Sequence, residues 1–255
     1  MQAGVSCLMI NHKPCIIIPV YNHEHAISNM VSIILSYQLT CILIDDGSDY
    51  SCAKLLDQLA AFSPDNIILL RHSHNAGKGN AVMTGIRHAF KMGFTHALQI
   101  DADGQHCTTD ITRFLSLSSK HPSSIIIGCP IYDHTVPKKR LYARYLTHIW
   151  VWINTLSRDI KDSMCGFRVY PLLPVMDLDH KKSLGGYMDF DSEILVRLHW
   201  KGLNVVNLST AVKYPQNGIS HFRLIRDNVL ISRMHARLFL GMLWRLPYLL
   251  ARKLR

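Results

Sequence analysis

The chain lacks several features that would place it in a common class at once. Its seven cysteines include no C-x-x-C pair, which disfavours a zinc or dithiol centre and indicates free thiols in a reducing compartment. No run of about 18 or more apolar residues occurs, so no helix is expected to span a bilayer. The segment from Met1 to Pro14 lacks the charged and then apolar pattern of a signal peptide. These absences predict a cytoplasmic protein.

Two common nucleotide-binding patterns are also missing. Neither G-x-x-x-x-G-K-[ST] nor G-x-G-x-x-G occurs, because Val82 stands where the second pattern needs a glycine. The chain has Asn75-Ala-Gly-Lys-Gly79 instead, whose backbone amides and Lys78 would face an anion if a helix begins there. The alternative is a structural turn, which a lone glycine-rich segment more often is.

Acidic residues are few relative to basic ones. The 28 Lys and Arg exceed the 18 Asp and Glu and give a formal net charge of +10, which favours an anionic partner such as a nucleotide or a lipid phosphate. No signature of a common RNA-binding module is present, so nucleic acid is not the expected partner. With 48% hydrophobic residues over 255 positions, the chain can bury a sizeable core.

Short apolar runs alternate with amphipathic segments, which predicts βαβ units, a mostly parallel sheet and helices on both faces. A basic loop is expected from Tyr132 to Arg144, a helical pattern from Tyr142 to Leu156, and a turn from Asp162 to Arg168. Strands are predicted over residues 15–20, 41–44, 66–70, 96–101, 124–128 and 203–208.

Polar residues follow three of the predicted strands, in the segments Tyr21–Glu24, Asp45–Asp49 and Asp101–Gln105. Ligands of parallel sheets bind outside the carboxyl ends of the strands. Asp101 and Asp103 are one residue apart, so both carboxylates can point to one side and hold a hard cation such as Mg²⁺ or Mn²⁺, which also binds phosphates. A surface turn is the alternative, and the repetition at three strand ends weighs against it.

The sequence from His221 onward is basic and apolar. It predicts an amphipathic helix lying on an anionic membrane surface, and the alternative is a helix whose apolar face packs on the domain. Pro247 is expected to end or kink the helix and to leave Tyr248–Arg255 as a second piece.

Six motifs in order resemble family 2 of the inverting glycosyltransferases, in particular the dolichol-phosphate mannosyltransferase-like branch with its bacterial relatives. The resemblance implies a GT-A, Rossmann-like fold in which residues 14–220 form the catalytic domain, after a flexible 1–13 and before the helix 221–255. Residues 14–128 would bind the nucleotide sugar and residues 129–220 the acceptor. The motifs are Ile18–Asn22, Ile44–Ser48, Asn75–Gly79, Asp101–His106, Gly166–Tyr170 and Asp191–Gly202.

The resemblance also implies roles for residues on the donor side. Asp46 would read the base edge, Asp101 would contact the nucleoside, and Lys78 would help to hold the donor. Asp103 would hold Mn²⁺ or Mg²⁺ on the diphosphate, with Gln105 close by and His221 as a further ligand. The complete set of expected donor-binding residues is Pro19, Tyr21, Asn22, Glu24, Asp46, Lys78, Asp101 and Ala102.

On the acceptor side, the family's hydroxyl-activating Asp corresponds to Asp191. Asp189 is the second candidate for that base, and Glu193 stands where the lipid-phosphate branch keeps a Glu. All three could instead be charges favoured at the start of a helix. The residues expected to contact the acceptor are Arg140, Arg144, Gly166, Phe167 and Arg168.

The resemblance therefore implies an inverting transfer of sugar from a UDP- or GDP-sugar to a hydroxyl of a lipid-linked or envelope acceptor, at the inner face of the cytoplasmic membrane. Two alternatives stay open: transfer to a polyprenyl phosphate, and a catalytically silent nucleotide-binding protein at the membrane surface. The lipid-phosphate branch commonly has an Arg three residues before the glycine of a Gly-x-Ser motif, whereas Pro215 precedes Gly218-Ile-Ser220 here.

Overall fold

The computed structural model describes residues 12–131, 138–181, 184–212 and 222–253. A sheet of seven strands forms its centre, in the order β3-β2-β1-β4-β6-β5-β7. The strands are β1 (Pro14–Val20), β2 (Cys41–Asp45), β3 (Ile67–Arg71), β4 (His96–Gln99), β5 (Ile125–Ile131), β6 (Arg168–Pro171) and β7 (Val205–Ala211). The helices are α1 (Glu24–Leu35), α2 (Tyr50–Phe62), α3 (Lys78–Lys91), α4 (Ile111–Lys120), α5 (Lys138–Thr155), α6 (Leu172–Lys181), α7 (Phe190–Trp200) and α8 (Leu224–Lys253).

The parallel sheet that the sequence predicts is confirmed for β1 to β4. These four strands pair in parallel, with Val20 opposite Asp45 and Ile17 opposite Gln99. Their carboxyl ends therefore meet at one edge. Strand β1 is buried on both faces: Ile16 and Ile18 belong to one hydrophobic cluster, and Cys15 and Ile17 to the other. Side chains alternate between the faces of a strand, which explains why the run reads as continuously apolar.

Strand β6 is antiparallel to both neighbours, β4 and β5. The sequence predicted only a turn from Asp162 to Arg168, and the strand begins at the last residue of that segment. The prediction missed β6 because an arginine interrupts a short apolar run. Arg168 is nevertheless fully buried, since its guanidinium donates to the carbonyls of Cys165, Ser163 and Asp191.

Two predictions about helices were wrong. Helix α5 already begins at Lys138, within the segment that was expected to be a basic loop. Helix α8 does not end at Pro247 but continues to Lys253, and the alternative of a kink at Pro247 stays a prediction. Proline removes one helical hydrogen bond, but tertiary contacts hold the helix on both sides of it: Leu249 is buried, and Arg252 donates to the carbonyl of His199 at 2.6 Å.

Helix α8 has a buried apolar face and an exposed side that mixes apolar and basic residues. One packs on the domain through the buried Met234, Leu238 and Met242, as the packing alternative predicts. The other is exposed and includes Trp244, whose exposed fraction is 87%. No helix in the described ranges is long and apolar enough to cross a bilayer. The exposed apolar side chains of α8 are Leu224, Ile225, Val229, Leu240, Leu243, Trp244, Tyr248 and Leu250.

Candidate active site

The loops after β1 and β2 are joined by side-chain hydrogen bonds. Asn22, which has a positive φ of 53°, receives the amide of Asp49 on its Oδ1 at 2.8 Å. Its own amide donates to Ser48 Oγ at 3.1 Å. Asn tolerates the left-handed conformation better than most residues, so the residue type fits the turn. The predicted base-pocket residues Tyr21 and Asn22 therefore lie beside the acidic end of β2.

Asp46 fixes the loop that leads to α3. Its carboxylate accepts the amides of Ala76 and Gly77 at 2.9 and 2.8 Å and contacts His72 Nδ1 at 2.7 Å. The side chain is almost completely buried. Both carboxylate oxygens are thus engaged by the chain itself, and the contact with a nucleotide base stays a prediction. His72 is a partner that sequence reasoning missed, because nothing in its local pattern points to Asp46.

The start of α3 is pressed against the loop before α7. Gly77 has a φ of +102°, and a Cβ there would lie 2.4 Å from the carbonyl oxygen of Gly186. A Cβ on Gly79 would lie 2.5 Å from the carbonyl oxygen of Gly185. Only glycine allows this approach of backbone to backbone. The glycines of the Asn75–Gly79 motif therefore bring the first turn of α3 against the chain that enters α7.

This approach places Lys78 between two carboxylates. Its Nζ lies 2.8 Å from Asp101 Oδ2 and 2.8 Å from Asp191 Oδ2. Burial would lower the pKa of the Lys78 ammonium, but the charges of Asp101 and Asp191 raise it above its usual value. Burial would likewise raise the pKa of Asp101, and Lys78 and His106 hold it below its usual range. One permanently charged ammonium thus joins the two halves of the domain.

A second connection between Asp101 and Asp191 runs through buried polar side chains of β4 and β6. Asp101 Oδ1 receives Gln99 Nε2 at 3.4 Å, and Gln99 Oε1 accepts the Tyr170 hydroxyl at 3.1 Å. Arg168 donates to Tyr170 Oη at 3.2 Å and to the backbone carbonyl of Asp191 at 2.7 Å. Such a connected network holds its members in one arrangement. The sequence analysis did not predict a role for Gln99 or Tyr170. The available signal was a glutamine at the end of the apolar strand β4.

The residues expected to contact the acceptor mostly support the site instead. Gly166 packs on Asp101, since a Cβ there would lie 2.0 Å from Asp101 Oδ2. Phe167 is fully buried against Phe114, with ring centroids 4.0 Å apart. Arg144 forms a bidentate pair with Asp162, with both distances 2.7 Å.

Phe167 and Arg168 have no exposed surface, so in this conformation neither side chain can touch an acceptor. Helix α5 includes Arg140, but its side chain lies outside the described residues, as does His221.

Asp103 and Gln105, the predicted metal ligands, lie in the turn after β4. Asp103 Oδ1 accepts the amide of Gln105 at 3.0 Å, and Gly104 between them has a φ of +71°. No group of three or more His, Cys, Asp or Glu that could hold a metal occurs among the described residues. His106, the last residue of the Asp101–His106 motif, had no predicted role: its Nδ1 is buried without a hydrogen-bond partner in the described structure, and its Nε2 lies 3.9 Å from Asp101 Oδ2.

Asp191 is the second residue of α7 and lies in its buried first turn. Its side chain is about 7% exposed, and Oδ1 has no hydrogen-bond partner among the described residues. Arg168 Nη2 lies 3.5 Å from Oδ1. Asp189, the second candidate, precedes the helix; its Oδ1 accepts the amide of Tyr187 at 3.2 Å. Burial raises the pKa of the Asp189 carboxyl above its usual value.

Glu193 connects α7 to α8. Its carboxylate is fully buried and contacts Arg197 Nη2 at 2.6 Å, Arg237 Nη2 at 2.7 Å and the amide of Gly185 at 2.8 Å. Both oxygens are therefore engaged by the protein. This arrangement indicates that Glu193 holds the C-terminal helix and the loop before α7 in position.

Glu193→Ala is therefore expected to lower the free energy of unfolding by about 3 kcal/mol or more, because it leaves the nearly buried Arg197 without its partner. Arg237→Ala is expected to cost about 1 kcal/mol or less, since Arg237 is more than half exposed. Urea unfolding curves of both variants check this. Equal losses in the two variants would contradict the assignment of Glu193 as the buried centre of the contact.

Three further residues predicted to bind the donor lie near the same edge of the sheet. Pro19 and Ala102 are buried, and Glu24 is the first residue of α1, with a buried Oε2 that has no hydrogen-bond partner in the described ranges. Their contact with a nucleotide stays a prediction.

The acidic strand ends of a mostly parallel sheet lie beside Asp191, the buried carboxylate at the start of α7. The family model of Glycosyl transferase family 2 matches residues 15–172. The chain belongs to this family, as its motifs predicted.

Two relatives and one solved structure extend the comparison. Polyprenol monophosphomannose synthase of Mycolicibacterium smegmatis is 26% identical over 207 residues, which cover 75% of this chain and 72% of that protein. Dolichyl-phosphate beta-glucosyltransferase of Dictyostelium discoideum is 32% identical over 177 residues, 61% of this chain and 53% of that protein.

The crystal structure of GalNAc-T7 with UDP, GalNAc and Mn²⁺ has a TM-score of 0.57 at 13% identity. The match covers 87% of this chain and 47% of that chain, and this likeness concerns the fold. It agrees with the GT-A fold that the sequence predicts. This chain spans about half the length of GalNAc-T7 and of the Dictyostelium relative.

Proposed function

We propose that this enzyme moves a sugar from a nucleotide-diphospho-sugar to a hydroxyl group of a lipid-linked or cell-envelope acceptor, with inversion at the sugar C1. The observation that carries the proposal is the position of Asp191, a buried carboxylate separated from Asp101 by a single ammonium group. Its Oδ1 is buried, so an acceptor hydroxyl would meet the carboxylate at Oδ2, the oxygen that pairs with Lys78 in this conformation. A carboxylate at this position can accept the proton of a hydroxyl group within reach.

The transfer balances as a single displacement. The acceptor oxygen bonds to C1 from the face opposite the leaving group, and the bond between C1 and the phosphate oxygen breaks. The nucleoside diphosphate leaves with the electron pair, and the hydroxyl proton passes to Asp191. In this scheme residues 14–128 hold the donor and residues 129–220 the acceptor, while Asp189 and Glu193 support the start of α7.

The donor is proposed to lie along the carboxyl ends of β1, β2 and β4. Tyr21 and Asn22 stand where the base would bind, and the amides at the start of α3 with Lys78 suit the diphosphate, because helix N-termini and ammonium groups both attract phosphate. The UDP in the GalNAc-T7 structure shows that a protein of similar fold binds a nucleotide, which supports a nucleotide donor.

Asp103 and Gln105 are proposed to hold Mn²⁺ or Mg²⁺. Their carboxylate and amide oxygens are hard donors of the kind that these ions prefer. One or two protein oxygens suffice when diphosphate and water complete the coordination, so the small number of ligands is compatible with the role. When bound, the ion neutralises negative charge on the leaving diphosphate. The Mn²⁺ in the GalNAc-T7 structure supports this choice.

The proposed donor can be tested by a thermal-shift panel of UDP- and GDP-sugars, with and without Mn²⁺. A ligand that binds only the folded protein raises its melting temperature by mass action. We expect one nucleotide class to raise it, and more strongly with Mn²⁺. No shift with any nucleotide sugar would refute the proposed function.

Transfer to a polyprenyl phosphate is the second candidate. The names of the Mycolicibacterium and Dictyostelium relatives favour it. There the acceptor phosphate is itself the nucleophile, so the reaction needs no base, and Asp191 would serve only to pair with Lys78 and Arg168.

The exposed apolar face of α8 is proposed to lie on an anionic membrane surface, where the lipid-linked acceptor would be reached. Large apolar side chains bordered by basic ones are typical of interfacial helices. Arg233 is exposed on the same helix as Trp244, while Arg226 and Arg245 stack on the rings of Tyr187 and Trp200. Exposed apolar side chains of α5, including Tyr145 and Leu146, would add to this surface.

Replacing Trp244 and Leu240 together by Ser is expected to reduce co-sedimentation with anionic lipid vesicles about tenfold or more, since each buried aromatic or leucine side chain contributes about 1.5–3 kcal/mol. Phe62→Ser is the matched control, because Phe62 is 83% exposed on α2. Point substitutions are preferable to removing α8, whose other face covers the core. Equal sedimentation of both variants would contradict the assignment of this surface.

A further inference from the structure

Lys78 belongs to the donor side by its position and to the acceptor side by its contacts. It is the first residue of α3, at the helix end that is proposed to meet the diphosphate. Its ammonium nevertheless contacts Asp191 at 2.8 Å, across 113 residues of sequence. The side chain is 16% exposed, and the two carboxylates that it joins are 22% and 7% exposed. The contact is therefore largely shielded from water.

The contact occupies the oxygen of Asp191 that would otherwise be free for a substrate. Oδ2 faces Lys78, while Oδ1 lies 3.5 Å from Arg168 Nη2. Arg168 is held by its own bonds to backbone carbonyls, so it has little freedom to move. Lys78 has a flexible stem and no other anchor than the two carboxylates among its described hydrogen bonds. Of the two cations, Lys78 is the one that can leave.

A nucleoside diphosphate at the start of α3 would compete with Asp191 for this ammonium. The diphosphate has more negative charge than one carboxylate, and the helix N-terminus stabilises it at that position. If the ammonium is within a few ångströms of both the diphosphate and Asp191, it is expected to bind the diphosphate, because the electrostatic attraction grows with charge and falls with distance.

We propose that Lys78 is a positioning residue that couples the two halves of the reaction: it holds Asp191 in the free enzyme and moves to the donor diphosphate when the donor binds. Asp191 is thereby released for the acceptor hydroxyl only after the donor is in place. The inference rests on the proposed function and adds an order of binding to it, donor before acceptor.

The test uses binding of UDP or GDP with Mn²⁺ to the full chain, measured by calorimetry, with whichever nucleotide gives the larger thermal shift. Donor binding must break the contact between Lys78 and Asp191, so removing that contact beforehand should help the nucleotide. Asp191→Asn is expected to bind it on the order of fivefold tighter than the unsubstituted protein, the lower end of typical coupling between sites. In a Lys78→Gln background the same substitution should change the affinity less than about twofold.

Asp189→Asn is the matched control, because it removes another buried carboxylate at the start of α7 that has no described contact with Lys78. A general reduction of negative charge would tighten binding in both variants, whereas the proposed coupling tightens it only in Asp191→Asn. Equal effects in the two variants, no tightening in Asp191→Asn, or tightening that persists without Lys78 would each overturn the inference. Failure of both nucleotides to bind the unsubstituted protein would instead overturn the proposed function.

A second measurement does not depend on the folding of Lys78→Gln. The ammonium signal of Lys78 can be observed by NMR in protein with ¹⁵N-labelled lysine and assigned with Lys78→Arg. Asp191→Asn is expected to shift this signal in the free protein and to leave it unchanged in the nucleotide complex. A shift of the same size in both states would show that Lys78 stays on Asp191 and would overturn the inference.

Discussion

Asp191→Asn is expected to reduce sugar transfer by about 10²- to 10⁴-fold, the usual contribution of a general base. The amide keeps the size of the side chain but cannot take the proton of an acceptor hydroxyl. Binding of nucleotide with Mn²⁺ should not be weakened, because the proposed metal site is formed by Asp103 and Gln105, and the proposed release of Lys78 should tighten it. Initial rates of nucleotide release, measured with a membrane extract as acceptor, together with calorimetric binding, check both parts of the prediction.

Asp189→Asn serves as the control for this experiment. The two carboxylates are two residues apart at the start of α7 and are both nearly buried, but Asp189 accepts the amide of Tyr187 and has no described contact with Lys78. Its replacement should reduce turnover only a few-fold. Near-normal turnover of Asp191→Asn would refute the base assignment and favour a phosphate acceptor, which needs no base.

Asp103→Asn is expected to weaken binding of the nucleotide in the presence of Mn²⁺ by about 100-fold, and turnover with it, because a neutral amide is a poor substitute for a carboxylate ligand of a hard cation. Binding without Mn²⁺ should change little. Calorimetry with UDP or GDP, with and without the metal, separates the two contributions.

The matched control is Asp65→Asn, which changes an exposed carboxylate between α2 and β3. It removes the same charge from the protein surface and should leave both affinities unchanged. Identical Mn²⁺-dependent binding by Asp103→Asn and the unsubstituted protein would contradict the proposed metal site.

The donor side of the site was predictable because its residues follow strands that the sequence marks clearly. Parallel strands with both faces buried read as continuous apolar runs, and the residue after each run must lie at the carboxyl edge of the sheet. The segment Cys41–Ile44 and the run that ends at Ile100 are of this kind. Asp46 and Asp101 could therefore be placed at one edge from the sequence alone.

The connection between the halves was not predictable from local patterns. The contact of Lys78 with Asp191 depends on glycine carbonyls packing against the first turn of α3, and on a strand, β6, that carries a buried arginine. Neither has a periodic signal. The continuation of α8 through Pro247 likewise depends on tertiary contacts such as that of Arg252 with His199, which outweigh the helix-breaking tendency of proline.

The central claim is transfer of a sugar from a nucleotide to an acceptor hydroxyl, and the bond in the product tests it most directly. Purified protein is incubated with Mn²⁺, a membrane lipid extract and the radiolabelled nucleotide sugar that stabilises it best. Label that enters the lipid fraction and resists mild acid is the predicted result, because a glycoside is stable under conditions that cleave a glycosyl phosphate. Acid-labile lipid product would contradict the hydroxyl acceptor, and absence of any labelled product would contradict the transfer itself.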